Sequence, residues 1–182
     1  MIRWASCSSG CAANGESMFE LKRLSADGIE AALEKARHYR LLNEPGEAES
    51  ICHDVLAIDA SNQEALVILL LAITDRFGRG YSMGLTQARE VLPQLRDDYE
   101  RNYYAGIICE RRAKALLQQG GPGVSSQAYE YLREAMTWFE KAEAIRPSGN
   151  DEARLRWNAC ARNIMSNKLE PHTDEKVHLQ SE

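Results

Sequence analysis

Two cysteines in the stretch CSSGC, Cys7 and Cys11, have a spacing at which thiolates can share a metal ion. A structural zinc site needs four ligands, commonly supplied as two short-spaced pairs. The other cysteines, at 52, 109 and 160, stand alone, and His38, His53, His172 and His178 form no second pair. The spacing therefore predicts no metal site. Cys52 and His53 are adjacent, but neighbours on a helix point roughly 100° apart and do not face each other. That removes a thiol–imidazole pair. The stretch GRGYSMG (78–84) has the glycines of a phosphate loop, yet it follows a helical pattern and lacks lysine. A phosphate loop follows a strand and opens a helix with its amides. This one reads as an insertion turn. With no Ser/His/Asp arrangement either, the expectation is a chain without catalytic residues, metal or cofactor.

The chain has 182 residues and a net charge of −5. That balance argues against non-specific nucleic-acid binding, which needs clustered Lys and Arg for phosphate contacts. The charge is uneven. Acidic side chains dominate 25–62, whereas 99–116 carries Arg101, Arg111, Arg112 and Lys114 against Glu100 and Glu110. A charged partner can read such a difference, although most are solvated helix faces. The longest apolar run, ALVILLLAI (65–73), is about half the ~18 residues of a membrane span and suits a buried helix. No secretory signal pattern opens the chain, and unpaired cysteines suit a reducing compartment, so the expected location is cytoplasmic.

The elements that must position these side chains are helices. Periodicity of three and four runs from 25 to 165, and no stretch alternates as a strand. It predicts helices at 26–43, 46–59, 62–77, 85–98, 98–118, 126–146 and 150–165. Pro45 and Gly46 should end the first. Ser61 and Glu64 have the spacing of a capping box for the third, and Pro93 should kink or shorten the fourth. Residues 1–24 read as a flexible leader, with no periodicity before Met18 and a start at Met18 conceivable. Residues 166–182, SNKLEPHTDEKVHLQSE, read as a polar disordered tail.

The helices come in pairs, and the pairs share a spacing. Ala48, Cys52, Val55 and Ala60 are separated by four, three and five residues, as are Ala135, Phe139, Ala142 and Pro147. Ala36 and Tyr39 supply a small and an aromatic residue three apart, with Ala36 twelve before Ala48. This pattern resembles the tetratricopeptide repeat, a helical hairpin of about 34 residues. One complete unit reads as 29–62. Ala88 follows Ala48 by forty residues and Ala135 follows Ala88 by forty-seven, so the later units carry insertions in GRGYSMG and in GGPGVSS. The resemblance implies an all-α, right-handed α-solenoid of about three repeats with a C-terminal capping helix over 25–165.

It also implies a function. Tetratricopeptide repeats generally bind a peptide or helix of another protein along the concave face lined by the first helix of each unit. One subgroup clamps chaperone C-termini with Lys and Asn, but the matching positions here hold Leu33, Arg37 and Ile68, so that clamp is not expected. The groove candidates are Arg37, Arg40, Leu41, Thr74, Tyr104, Arg111 and Arg112, with Arg154 and Arg156 from the cap. Several are arginines, whose planar fork suits carboxylates. The expected activity is that of a non-catalytic interaction module or adaptor for an acidic or amphipathic protein segment, with neither nucleic acid nor membrane as partner. The alternative is an accessory subunit of an enzyme complex.

Overall fold

The computed structural model describes residues 19–79 and 84–172. Among these the chain is all helical, with seven α-helices, short 3-10 turns and no strand. The helices are α1 (Ile29–Leu41), α2 (Pro45–Ile58), α3 (Gln63–Asp75), α4 (Gly84–Val91), α5 (Asp98–Gln119), α6 (Val124–Ala144) and α7 (Glu152–Ser166). Each packs against its neighbour in sequence, and α3 also touches α1 and α5.

The starts and stops follow from local chemistry. After α1, Asn43 takes a left-handed backbone (φ 61°), a conformation asparagine tolerates better than most side chains. Pro45 then opens α2, because proline's fixed φ suits a first helical turn and its missing N–H is not needed there. It begins the second helix as much as it ends the first. The expected capping box at Ser61 is absent. The Asp59 carboxylate accepts bonds from both the amide and the hydroxyl of Ser61, and Asn62 caps α3 by accepting from the Ala65 amide at 3.0 Å. Pro93 does shorten α4. The helix ends at Val91 and tightens into a 3-10 turn over Leu92–Gln94.

Asp97 caps α5 by accepting the Glu100 amide at 2.9 Å. Gly120 and Gly123, at φ 67° and 73°, turn the chain between α5 and α6, in a region where a Cβ is strained. Asn150 bridges the last connection. Its side-chain oxygen accepts from the Tyr99 hydroxyl and from the Glu152 amide, tying the start of α7 to α5.

Two clusters of buried side chains hold these helices together. The first lies among α1, α2, α3 and α4 and includes Leu33, Ala36, Cys52, Val55, Leu66, Leu70, Ile73 and Val91. The second lies among α5, α6 and α7 and includes Ala128, Leu132, Met136, Phe139, Ala142, Ala153 and Cys160. Helix α5 serves both, since Ile108 and Ala115 join the first and Ile107, Cys109 and Ala113 the second. The flanks differ from expectation in detail. Leu24, from the expected leader, packs against the first cluster, whereas Phe19 and Leu21 are exposed. Leu169, from the expected tail, is buried in the second. The rest of the leader before Phe19, and the tail beyond His172, lie outside the described residues.

Candidate functional site: linked charges across alternate helices

The short acidic side chain of Asp75 ends α3 between two arginines. Arg40 of α1 reaches its Oδ2 through Nε at 2.8 Å, and Arg111 of α5 reaches its Oδ1 through Nη1 at 2.6 Å. One carboxylate thus links three alternate helices. Arg111 is held further, because its Nη1 also donates to the Leu71 carbonyl at 2.9 Å and to the Thr74 hydroxyl at 2.6 Å. Burial pushes the Arg111 pKa below its ordinary value, and the Asp75 charge works in the opposite direction. All three side chains of this triad are no more than a quarter exposed, so water screens the pair weakly.

A second triad adjoins the first through the residue that precedes Arg111 on α5. Glu110 is only 1% exposed, yet its Oε1 takes both the Lys114 ammonium, one helical turn on, and the Arg156 Nη1 of α7 at 3.5 Å. Its other oxygen, Oε2, is buried and has no hydrogen-bond partner among the described residues. Lys114 and Arg156 are each 42% exposed. Burial acts against the Arg156 cation, but a hydrogen bond with Tyr103 and the Glu110 charge outweigh it and hold its pKa above the ordinary value. The same environment reaches Cys160, whose thiol is pushed up to about 12 by burial and then by the Glu110 charge.

Aromatic side chains lie alongside. Tyr99 and Tyr103 stack at 5.8 Å, Tyr104 meets Tyr103 edge-on at 5.3 Å, and Tyr103 leans on Phe139 at 5.9 Å. Burial pushes the Tyr104 hydroxyl up to about 12, so it remains a neutral donor at any physiological pH.

The residues proposed from sequence fall into distinct places. Arg40, Thr74 and Arg111 come together around Asp75, and Arg156 stands over the neighbouring triad. Thr74 is itself buried and serves Arg111 from beneath. Tyr104 packs against both clusters. Arg37 pairs with Glu64 of α3, while Leu41 is 85% exposed near the end of α1. Arg154 sits apart at the α6–α7 corner, bound to Glu143 and Asp151. Arg112 has a buried Nε without a hydrogen-bond partner among the described residues and belongs to neither triad.

Sequence reasoning did not single out Asp75, it met Glu110 and Lys114 only as members of the 99–116 charge run, and it read Tyr103 as an inter-helix packing residue. The Glu110–Lys114 spacing is the ordinary signature of a solvated i,i+4 pair, which hides that the acid is buried. Asp75 is the last residue of an apolar helix and looks like an end charge. Among the described residues, no group of three His, Cys, Asp or Glu side chains is placed to hold a metal. No protein-family model, curated protein or solved structure matches this chain.

Proposed function

We propose that this protein is a non-catalytic interaction module, built as a tetratricopeptide-like right-handed solenoid of about three helical hairpins with α7 as its cap. It binds an acidic or amphipathic segment of a partner protein along the face formed by α1, α3, α5 and α7. The observation that carries this reading is the pair of charge triads. They run from Arg40 on α1 through Asp75 on α3 and Arg111 on α5 to Arg156 on α7, and they hold cations in excess of carboxylates.

Burial patterns support the solenoid part. Of the positions that carry the repeat resemblance, Ala36, Ala48, Cys52, Val55, Ala88, Ala135, Phe139 and Ala142 are fully buried, Tyr39 is half-buried, and the turn residues Ala60 and Pro147 are exposed. The absence of chemistry has a physical argument too. Burial pushes the thiols of Cys52, Cys109 and Cys160 up to about 12, so none offers a thiolate nucleophile at neutral pH. No described helix is long and apolar enough to cross a membrane, and a cytoplasmic protein partner is the simplest setting for free thiols.

The test is affinity capture of the tagged protein from native lysate at low and moderate salt, with bound proteins identified by mass spectrometry. The informative variant is Arg156→Ala, which removes the cation without setting a second carboxylate against Glu110. Reversal at Arg111 would press two carboxylates together inside the fold, whereas Arg156 is half-exposed and its loss leaves α7 packed through Ala153 and Cys160. A stoichiometric partner captured by the wild type and lost from the variant, with unchanged circular dichroism, supports the reading. Equal capture by both places the partner elsewhere and overturns it.

A further inference from the structure

Glu110 raises a question that folding does not answer. A carboxylate buried for stability satisfies both oxygens, because each unpaired buried polar atom carries a desolvation cost. Here, among the described residues, Oε1 receives two cations and Oε2 receives no hydrogen bond. Being 1% exposed, Glu110 cannot itself meet a ligand, but the two cations it holds are both accessible. Its effect is to fix the positions of Lys114 and Arg156.

We propose that Lys114 and Arg156, positioned by Glu110, form one anion-reading subsite of the face, and that the Arg40–Asp75–Arg111 triad marks the second. The occupant is a peptide segment with two separate acidic side chains. This inference rests on the proposed interaction face and deepens it. Its argument is the charge count in each triad. Among the described residues, two cations share one carboxylate in each triad, which leaves each with one positive charge in excess. Two singly charged sites match two side-chain carboxylates on different residues. A single phosphoryl group, carrying close to two charges on one centre, would leave one site unmatched. The sites adjoin through consecutive residues of α5, and Arg156 is close enough to act on Arg111. Both carboxylates therefore come from one short stretch of the partner.

The experiment uses the full chain and fluorescein-labelled peptides of one neutral Gly/Ser/Gln host. The peptides carry two glutamates at a series of short spacings, one glutamate, one phosphoserine, or none, and binding is read by fluorescence anisotropy at low and moderate salt. The two-glutamate peptide at its best spacing should bind roughly tenfold tighter than the single-glutamate one, the size of one charge-assisted hydrogen bond. The double variant Lys114→Ala/Arg156→Ala should reduce it to the single-glutamate level, while Arg133→Ala, an exposed cation away from both triads, leaves it unchanged.

The decisive variant is Glu110→Gln. It raises the net positive charge, so attraction by charge alone predicts tighter binding. Positioning predicts weaker binding by roughly threefold to tenfold, with the preference between peptide spacings flattened. If this variant fails to fold, Lys114→Met and Arg156→Met retain the apolar stems and must each lose affinity. Binding by Glu110→Gln as tight as wild type overturns the proposal, and so does tighter binding of the phosphoserine peptide or equal binding of the neutral one. If no peptide binds while lysate capture still depends on Arg156, the two-carboxylate subsite falls and the interaction face stands.

Discussion

The two core clusters are built from different materials. The first, under α1 to α4, is mainly aliphatic: Leu33, Leu66, Leu69, Leu70, Ile73 and Val91 fill it, with Phe77 beside them and small Ala36, Ala48 and Ala72 between. The second, under α5 to α7, combines the Phe139 ring with Ile107, Leu132, Met136 and Leu169 and with many small residues, Ala113, Ala128, Ala135, Ala142, Ala153 and two cysteines, and has tyrosines and tryptophans at its edge. Branched aliphatic side chains repack after a change, because many rotamers fill similar volumes. A ring against a bare backbone does not. Gly106 of α5 makes this concrete, since a Cβ there would lie 2.5 Å from the Phe139 ring. The difference teaches that the longest helices, α5 and α6, add one fitted contact to their shared apolar area, whereas the shorter ones rely on apolar area.

The sharpest way to break the comparison is to empty each cluster once. Phe139→Ala should cost about 3–5 kcal/mol and Leu70→Ala about 2–4 kcal/mol, as expected for buried ring and aliphatic deletions. The thiols report which cluster opens. Cys52 belongs to the first, Cys109 and Cys160 to the second. In Phe139→Ala, Cys109 and Cys160 should become reactive to a thiol reagent under native conditions well before Cys52. Simultaneous labelling of all three would mean that the clusters unfold as one.

The same thiols fix an alkaline limit. Their folded pKa values are raised from 9.0 to about 12 by burial, so their stability contribution is fully present below pH 9. It is lost as the pH climbs toward 12, because the unfolded chain releases those protons first. Denaturant midpoints measured from pH 7 upward should be flat, by this term, to about pH 9 and then fall.

Between the clusters lies the seam at Asp75, and its removal asks whether they are joined electrostatically. Asp75→Asn leaves Arg111 bonded to Leu71 and Thr74 but without its counter-charge. A fully buried pair broken on one side costs about 3–5 kcal/mol. At 24% exposure for both partners, screening reduces this to about 2–3 kcal/mol. A loss under 0.5 kcal/mol in urea unfolding would mean the seam is held by apolar contacts alone, through Leu71 and Tyr104, which pack against both clusters.

Much of the helical layout is written in the periodicity, and the reason is visible in α3, where ALVILLLAI leaves no doubt that a helix is buried. Pro93 and Pro45 also act where chain chemistry says proline must act. The site was less legible. Arg40 and Arg111 stand far apart in sequence and meet only because Asp75 ends α3 between them, and no local spacing encodes such a three-helix meeting. Glu110 shows the opposite problem. Its spacing to Lys114 was legible but ambiguous, since burial of one partner is decided by how α5 and α7 pack. Gly106 carried no signal at all, because a glycine within a helical pattern ordinarily marks weakness, and only the Phe139 ring explains it.

Gly106 therefore offers a finer break. Gly106→Ala improves intrinsic helix propensity by about 1 kcal/mol, yet it forces the Phe139 ring or the α5 backbone to move. Overpacking of this kind costs about 1–3 kcal/mol, so in net terms the variant should be destabilised by up to about 2 kcal/mol. Combined with Phe139→Leu, which vacates the ring's edge, the alanine should become neutral or stabilising. A thermodynamic cycle over the two positions measures that reversal, and additive effects would show that the close approach places no constraint on the helices.

The smallest effect belongs to the first cluster and tests whether it depends on local signals at all. Asn62 caps α3 by accepting the Ala65 amide and donates its own side-chain N–H to Asp59, whose carboxylate also holds Ser61 in the turn before it. Asn62→Ala should cost about 1 kcal/mol, the ordinary price of a lost cap. Because α3 is buried along most of its length, the helix persists and the loss appears as a uniform drop in stability without local fraying. Hydrogen exchange distinguishes the two. Amides at Leu66 and Leu69 that keep exchanging only through global unfolding would show that apolar area sets the position of α3. Amides that open locally would show that the cap does, and the first cluster would then resemble the second in adding one fitted contact to its apolar area.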